Sequence, residues 1–366
     1  MQQGYKQTEV GMIPEDWGCV AAKHLMKIET GSRNTEHKTD MGKYPFFVRS
    51  QKVEHIDTYH YNCEAVLTAG DGVGTGKVFH HFVGKFDAHQ RVYVMSNFDG
   101  ITGRYFYNYF SENFGKEVSK YTAKSSVDSV RRDMIAEMMI PLPPLEEQKR
   151  IAEALSDVDG MISLLEKLIA KKKAVKQGTM QELLTGQKRL PGFVGEWRKC
   201  KLKDVLTVGH GQSQHAIEDV NGKYPILATG GIIGRTNSYL YNQPSVLIGR
   251  KGTIDKPQYM ETPFWTIDTL FYTKISTNYH AKYIFYVFCL IDWLDYNEAS
   301  GVPSLSASII ENIDVIIPKL REQVAIASIL SDIDYEIESL EQKLEKTRQI
   351  KQGMMQQLLT GKIRLV

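Results

Sequence analysis

Cysteine is scarce in this 366-residue chain, and charge of neither sign dominates it. Cys19, Cys63, Cys200 and Cys289 are scattered, with no C-x-x-C pair and no His/Cys metal spacing. They argue against a disulfide scaffold or a zinc finger and read as reduced thiols of a cytosolic protein. The opening MQQGYKQTEV has no apolar signal core. The longest apolar run, residues 283–294 (YIFYVFCLIDWL), contains Asp292 and is too short to span a bilayer. The expected setting is cytoplasmic, without a membrane. Lys and Arg total 45 against 43 Asp and Glu, a net charge of +2. That argues against a stand-alone, strongly basic DNA binder, although recognition depends on where the cations lie. What is present is ordinary globular composition, 42% hydrophobic and 24% charged, in a chain whose halves can each bury a core.

The chain is written twice. Residues 143–190 align without a gap to 318–365, with 25 of 48 positions identical. Leu183-Leu184-Thr185-Gly186 returns as Leu358-Leu359-Thr360-Gly361, and Lys176-Gln177-Gly178 as Lys351-Gln352-Gly353. Upstream the repeat is weaker: Trp17 matches Trp197, Lys43-Tyr44-Pro45 matches Lys223-Tyr224-Pro225, and Gly72 matches Gly252. Two copies are too few for a solenoid and suggest a pseudo-twofold molecule.

The shared segments carry a coiled-coil signature. Ile151, Leu155, Val158, Ile162, Leu165 and Ile169 alternate four and three apart, as do Ile326, Leu330, Ile333, Ile337, Leu340 and Leu344. Lys176 and Lys351 fall on the seam. Either they fix the register or the seam opens there. Pro143, Pro144 and Pro318 precede the helices, Glu146, Glu147 and Glu322 suit their first turns, and Gly186 and Gly361 stop them. Residues 145–185 and 320–360 would each span roughly 60 Å as helix. Paired antiparallel, they would hold two globular domains apart like a ruler.

The variable segments read as mixed α/β. Strand-like runs occur at 65–68, 91–94 and 245–248, and aromatic helix-like runs at 103–110 and 281–288. Those aromatics are expected in the core rather than on a base-stacking platform. Polar loops are the candidate readers of DNA: Ser32, Arg33, Asn34, Arg49, Ser50, Gln51, Lys77, His80 and His81 in the first half. In the second they are Gln212, Ser213, Gln214, Arg235, Thr236, Asn237, Arg250 and Lys251. Arg matches guanine bidentately, Asn and Gln match adenine, and Lys serves phosphates. Taken singly, each reads as an ordinary surface residue. The argument lies in the cluster, because the loops differ where the frameworks agree.

Enzyme signals are weak. Residues 70–77 read GDGVGTGK, but the P-loop spacing would put its first Gly on Asp71, and Val78 replaces Ser/Thr. A G-x-G-x-x-G spacing fails from Gly70 and from Gly72. A methyl-donor glycine loop would need an Asn/Asp-Pro-Pro-aromatic partner, and Leu142-Pro143-Pro144-Leu145 lacks both distinctive members. A hairpin turn close to DNA is the expected reading. His80, His81 and His89 have no carboxylate or Cys at ligand spacing.

The run Ile140-Pro141-Leu142-Pro143-Pro144-Leu145-Glu146-Glu147-Gln148, its echo Ile317-Pro318-Lys319-Leu320-Arg321-Glu322-Gln323, and the twin LLTG endings resemble the specificity subunit of type I restriction–modification systems. The opening from Tyr5 to Trp17 looks like the start of that family's first target recognition domain. The resemblance implies an α+β chain with recognition domains at 1–142 and 190–317 and helical spacers at 143–189 and 318–366. It also implies a bipartite, asymmetric site in double-stranded DNA, read one half per domain. Two methyltransferase subunits and restriction/translocase subunits would carry S-adenosylmethionine, ATP and Mg, leaving this chain without cofactor or catalysis. The competing readings are a coiled-coil scaffold that binds proteins and a fused methyltransferase using Gly70 to Gly76.

Overall fold

The computed structural model describes residues 4–122 and 129–366. The fold is α+β, divided into two compact units. Met1–Glu166 with Lys343–Val366 forms the first, and Lys167–Gln342 the second. Two long helices, Leu145–Leu184 and Leu320–Leu358, are each divided between the units.

The first unit holds a six-stranded sheet in the order Lys27–Thr30, Val92–Ser96, Tyr61–Ala69, Phe79–Ala88, Tyr44–Phe47, Glu54–Ile56. All pairings are antiparallel except Tyr44–Phe47 against Phe79–Ala88. In the Tyr61–Ala69 strand, successive side chains enter different cores, as a period of two requires. Val66 joins Phe79, Met95 and the aromatic helix Gly103–Thr122, whereas Ala65 and Leu67 join Phe47, Phe86 and Val94. Phe106, Phe110 and Phe114 recur every fourth residue, are fully buried, and stack with centroids 5.1 and 4.4 Å apart. These aromatics are core, and so are Tyr283, Tyr286 and Phe288 in the matching helix Ala281–Leu290.

The second unit divides its strands differently. A four-stranded sheet runs Leu206–Gly209, Leu270–Ile275, Ser245–Gly249, Gln258–Met260, and a three-stranded one runs Gly231–Thr236, Tyr224–Ala228, Trp265–Thr266. The entry to each long helix is nevertheless the same. Gly18–Ala21 pairs with Met139–Leu142, and Arg198–Lys201 with Asp314–Ile317. Gln148 Nε2 donates to the Pro143 carbonyl at 2.9 Å while its Oε1 accepts the Thr102 N–H at 2.9 Å. Gln323 repeats both bonds, with Pro318 and His280, also at 2.9 Å. Lys319 in place of a second proline leaves that turn unchanged, because the Gln323 N–H still donates to the residue 319 carbonyl, at 3.1 Å.

Within each unit the helix segments run antiparallel and are tied by matching ion pairs. In the first, Lys351 meets Asp159 at 2.7 Å and Arg348 meets Glu166 at 2.7 Å. In the second, Lys176 meets Asp334 at 2.6 Å and Lys173 meets Glu341 at 2.7 Å. Both lysines that the sequence places on the seam therefore face a carboxylate on the opposing segment.

Each unit is closed by an arginine that follows an LLTG stop. Arg364 donates to Glu147 at 2.7 Å and to Asp16 at 2.8 Å, with its guanidinium 5.6 Å from the Trp17 ring centre. Arg189 donates to both oxygens of Glu322, at 2.6 and 2.7 Å, and lies 5.5 Å from the Trp197 ring centre. Gly361 must be glycine: its φ is +68°, and a Cβ there would sit 2.4 Å from Pro14. Besides the Asp16 contact, which Arg189 replaces with a bond to the Gly195 carbonyl at 2.9 Å, the closures differ at the indole. Trp17 Nε1 donates to Glu147, whereas the buried Trp197 Nε1 has no hydrogen-bond partner among the described residues.

Candidate nucleic-acid interface

One short backbone frame is repeated in both units. The Gly70 N–H donates to the Arg91 carbonyl at 2.7 Å, and the Arg250 N–H to the Thr269 carbonyl at 2.8 Å. The Val130 N–H donates to Gly70 at 2.7 Å, and the Leu305 N–H to Arg250 at 3.0 Å. Asp71 bridges Ser129 as Lys251 bridges Ser304. Gly72 and Gly252 follow with φ of +76° and +91°. Segments 70–72 and 250–252 are thus equivalent points carrying different side chains.

The first unit gathers most of its candidates around this point. Arg49 is exposed and donates to Asp71 at 2.8 Å. Ser50 offers its carbonyl to His80 Nε2 at 3.1 Å. Gln51 contacts the Phe79 carbonyl. Ser32 is exposed, and its N–H and that of Arg33 donate to Ala88, both at 3.2 Å, so this loop follows the end of the Phe79–Ala88 strand. A cleft of about 340 Å³ is lined by Thr35, Val48, Arg49, Ser50, Asp71, Gly72 and Val73. Lys77 is exposed on the connection from Tyr61–Ala69 to Phe79–Ala88. That connection is the expected hairpin, built on a short 3-10 turn at Gly72–Gly74.

Several candidates have structural occupations. Arg33 pairs at 3.1 Å with Asp87, whose side chain is wholly buried. Asn34 caps the turn Thr35–His37. His80 and His81 are half-buried neighbours on a strand. His80 packs 5.1 Å from the Phe47 ring, and His81 bonds Glu64 at 2.8 Å beside Tyr107. They do not converge. Burial pushes the His80 imidazole below its usual range, so it is neutral at pH 7.

The second unit splits its candidates into two groups. Gln212 and Ser213 are exposed and Gln214 is half-buried. The Gln212 N–H donates to Thr266 at 2.8 Å, and its carbonyl accepts from Trp265 Nε1 at 2.9 Å. Gln214 accepts the N–H groups of Ile217 and Glu218, which lead into the turn gripped by Asn237 through Asp219 at 2.7 Å. Arg235 braces that turn by donating to the Gly222 and Lys223 carbonyls at 2.7 and 3.0 Å. Thr236 is fully buried and accepts the Ser238 N–H, so it has no surface to offer a base. Arg250 and Lys251 are exposed on a cleft of about 410 Å³ with His210, Asp268 and Ser304.

Sequence reasoning passed over Arg91 and Asp71. Arg91 reads as the first residue of a strand, but the strand begins at Val92 and Arg91 lies in the preceding turn. Its Nε is 3.7 Å from Asp71. Among the described residues no group of His, Cys, Asp or Glu is placed to hold a metal ion, and no helix is long and apolar enough to cross a membrane.

Comparison with known proteins matches a family model described as "Type I restriction modification DNA specificity domain" twice, over residues 14–174 and 195–349. Two similar relatives come from Methanocaldococcus jannaschii. One, named the putative type I restriction enzyme MjaX specificity subunit, is 25% identical, covering 100% of this chain and 97% of that protein. The MjaVIII specificity subunit is 26% identical over the same shares. Among solved structures, a type I restriction-modification S subunit from M. genitalium has a TM-score of 0.71 at 16% identity, covering 98% of this chain and 99% of its own. A chain from a study of assembly and conformational transition of the type I R-M system has a TM-score of 0.57 at 16% identity, covering 96% and 99%. At these identities the structural likeness concerns the fold.

Proposed function

The chain belongs to the type I restriction modification DNA specificity family, and from that premise we propose how it divides the work of reading double-stranded DNA. Each unit reads one half of a bipartite, asymmetric site. The observation that carries this reading is the repeated frame at 70–72 and 250–252, which holds different side chains under the same hydrogen bonds. One scaffold with two polar loop sets is what reading two different sequences requires. The recognition domains are residues 1–142 and 190–317, and segments 143–189 and 318–366 are the spacers. Their helices pair as a coiled coil, set the unread gap and offer equivalent faces to two methyltransferase subunits. Those partners carry S-adenosylmethionine, and restriction/translocase subunits carry ATP and Mg. This chain is non-catalytic and works in the cytoplasm.

A net charge of +2 neutralises few phosphates, so the isolated chain binds DNA weakly and salt-sensitively, and its partners supply the remaining backbone contacts. Methylome sequencing of a host carrying this chain with its partners tests the reading. The expected result is a split, non-palindromic motif of which one half changes when residues 1–142 are exchanged. A continuous motif, or both halves changing together, would overturn it.

A further inference from the structure

Asp71 gathers two cations from distant parts of the first unit. Arg49, from the loop after Tyr44–Phe47, donates Nη1 to Oδ1 at 2.8 Å, and Arg91, from the turn before Val92–Ser96, places Nε 3.7 Å from Oδ2. The arginine side chains are 46% and 65% exposed, so their ion pairs with Asp71 add little to stability. The backbone does not need them either. The Gly70–Arg91 and Val130–Gly70 hydrogen bonds and the Asp71–Ser129 bridge already fix it.

In the second unit no ion pair among the described residues joins Arg250 or Lys251 to a carboxylate, although Asp268 lines the same cleft and its carbonyl accepts from Arg250 Nη1 at 3.4 Å. Arg250 and Lys251 occupy the equivalent point directly, under the same backbone bonds. Loops that otherwise diverge therefore place two cations at one equivalent point by different chain routes. His89, buried beneath, adds no third charge: burial and the neighbouring Arg49 and Arg91 push its imidazole down, and its Nδ1 accepts the Arg91 N–H at 3.0 Å.

We propose that Asp71 is a positioning residue and Arg91 a base-reading residue, with Arg250 as its counterpart in the second unit. The inference rests on the DNA reading above. Asp71 lies on the Nε side of Arg91, and among the described residues no hydrogen bond engages its two terminal amino groups. Unengaged among the described residues, they form a planar fork that matches O6 and N7 of guanine more closely than an ammonium does.

The test uses the complex assembled with its methyltransferase partner, reading both the methylated motif and affinity for a duplex carrying it. Arg91→Ala is expected to lose roughly 10- to 100-fold in affinity, relaxing one base pair of one half-site. Arg91→Lys does not restore it, Asp71→Asn gives a smaller loss at the same base pair, and Arg250→Ala relaxes the other half-site. Because Arg91 is largely exposed, its melting temperature should match wild type, which separates reading from folding. A uniform loss on all sequences, with a salt slope shallower by about one, would put Arg91 on a phosphate and overturn base reading. An unchanged motif and affinity would overturn the inference altogether. A wild-type complex without selective binding would instead sink the DNA reading on which it rests.

Discussion

Replacing Arg364 by alanine should destabilise the first unit more than any exposed substitution in it. The Glu147 side chain is only 2% exposed and holds Arg364 through both oxygens. Removing one partner of a buried pair typically costs about 3–5 kcal/mol, because a charge is left in low dielectric. Here Arg364 is 24% exposed, so water can enter, and Trp17 Nε1 still donates to Glu147 at 3.1 Å. Those two facts reduce the expected cost to about 2–3 kcal/mol. For a unit of about 190 residues that corresponds to a fall of roughly 5–10 °C in its calorimetric transition. Adding Glu147→Gln should recover part of the loss, since the stranded charge is gone. Arg189→Ala should cost the second unit about 1 kcal/mol more, because Glu322 has no indole donor to fall back on. A change below about 0.5 kcal/mol for Arg364→Ala, or a double variant no better than the single, would refute the reasoning.

The helix ion pairs predict a coupling: a double-mutant cycle on Lys351 and Asp159 should give about 0.5–1 kcal/mol, shrinking with salt, and the swapped pair should retain most of it. A cycle value near zero would leave the seam lysines without a role in register. Stability of the first unit should also fall as pH drops from about 7 to 5. Burial holds His80 and His89 below the ordinary value of 6.5, so the unfolded chain binds more protons than the folded one. The contribution is fully present above the unfolded pKa and lost as pH falls through the folded one. Denaturant titrations across that window should flatten in His80→Gln/His89→Gln, and an equally steep dependence in that variant would place the effect elsewhere.

The helices were legible because their determinants are local and periodic. Ile151, Leu155, Ile326 and Leu330 recur at the spacing that buries one face, and all four are buried. The repeated framework was legible for the same reason, since equal packing keeps equal residues. The candidate readers were harder, because what an Arg or Asn does depends on neighbours far along the chain. Nothing near Arg235 announces that its guanidinium braces the carbonyls of Gly222 and Lys223. Nothing near Asp71 points to Arg49 or Arg91. Thr236 was more tractable. It ends the Gly231–Thr236 strand beside exposed Arg235, and alternation along that strand marks one of the two as inward.

The two units differ in how they draw on the chain. The second is one uninterrupted segment, Lys167–Gln342, whereas the first requires Lys343–Val366 to supply Arg364 and the helix face carrying Met355 and Leu358. During synthesis the amino-terminal recognition domain therefore emerges first but is closed last, after the other unit has all its residues. A chain cut short after residue 342 would keep every residue of its first loop set and lose the clasp that holds their platform together.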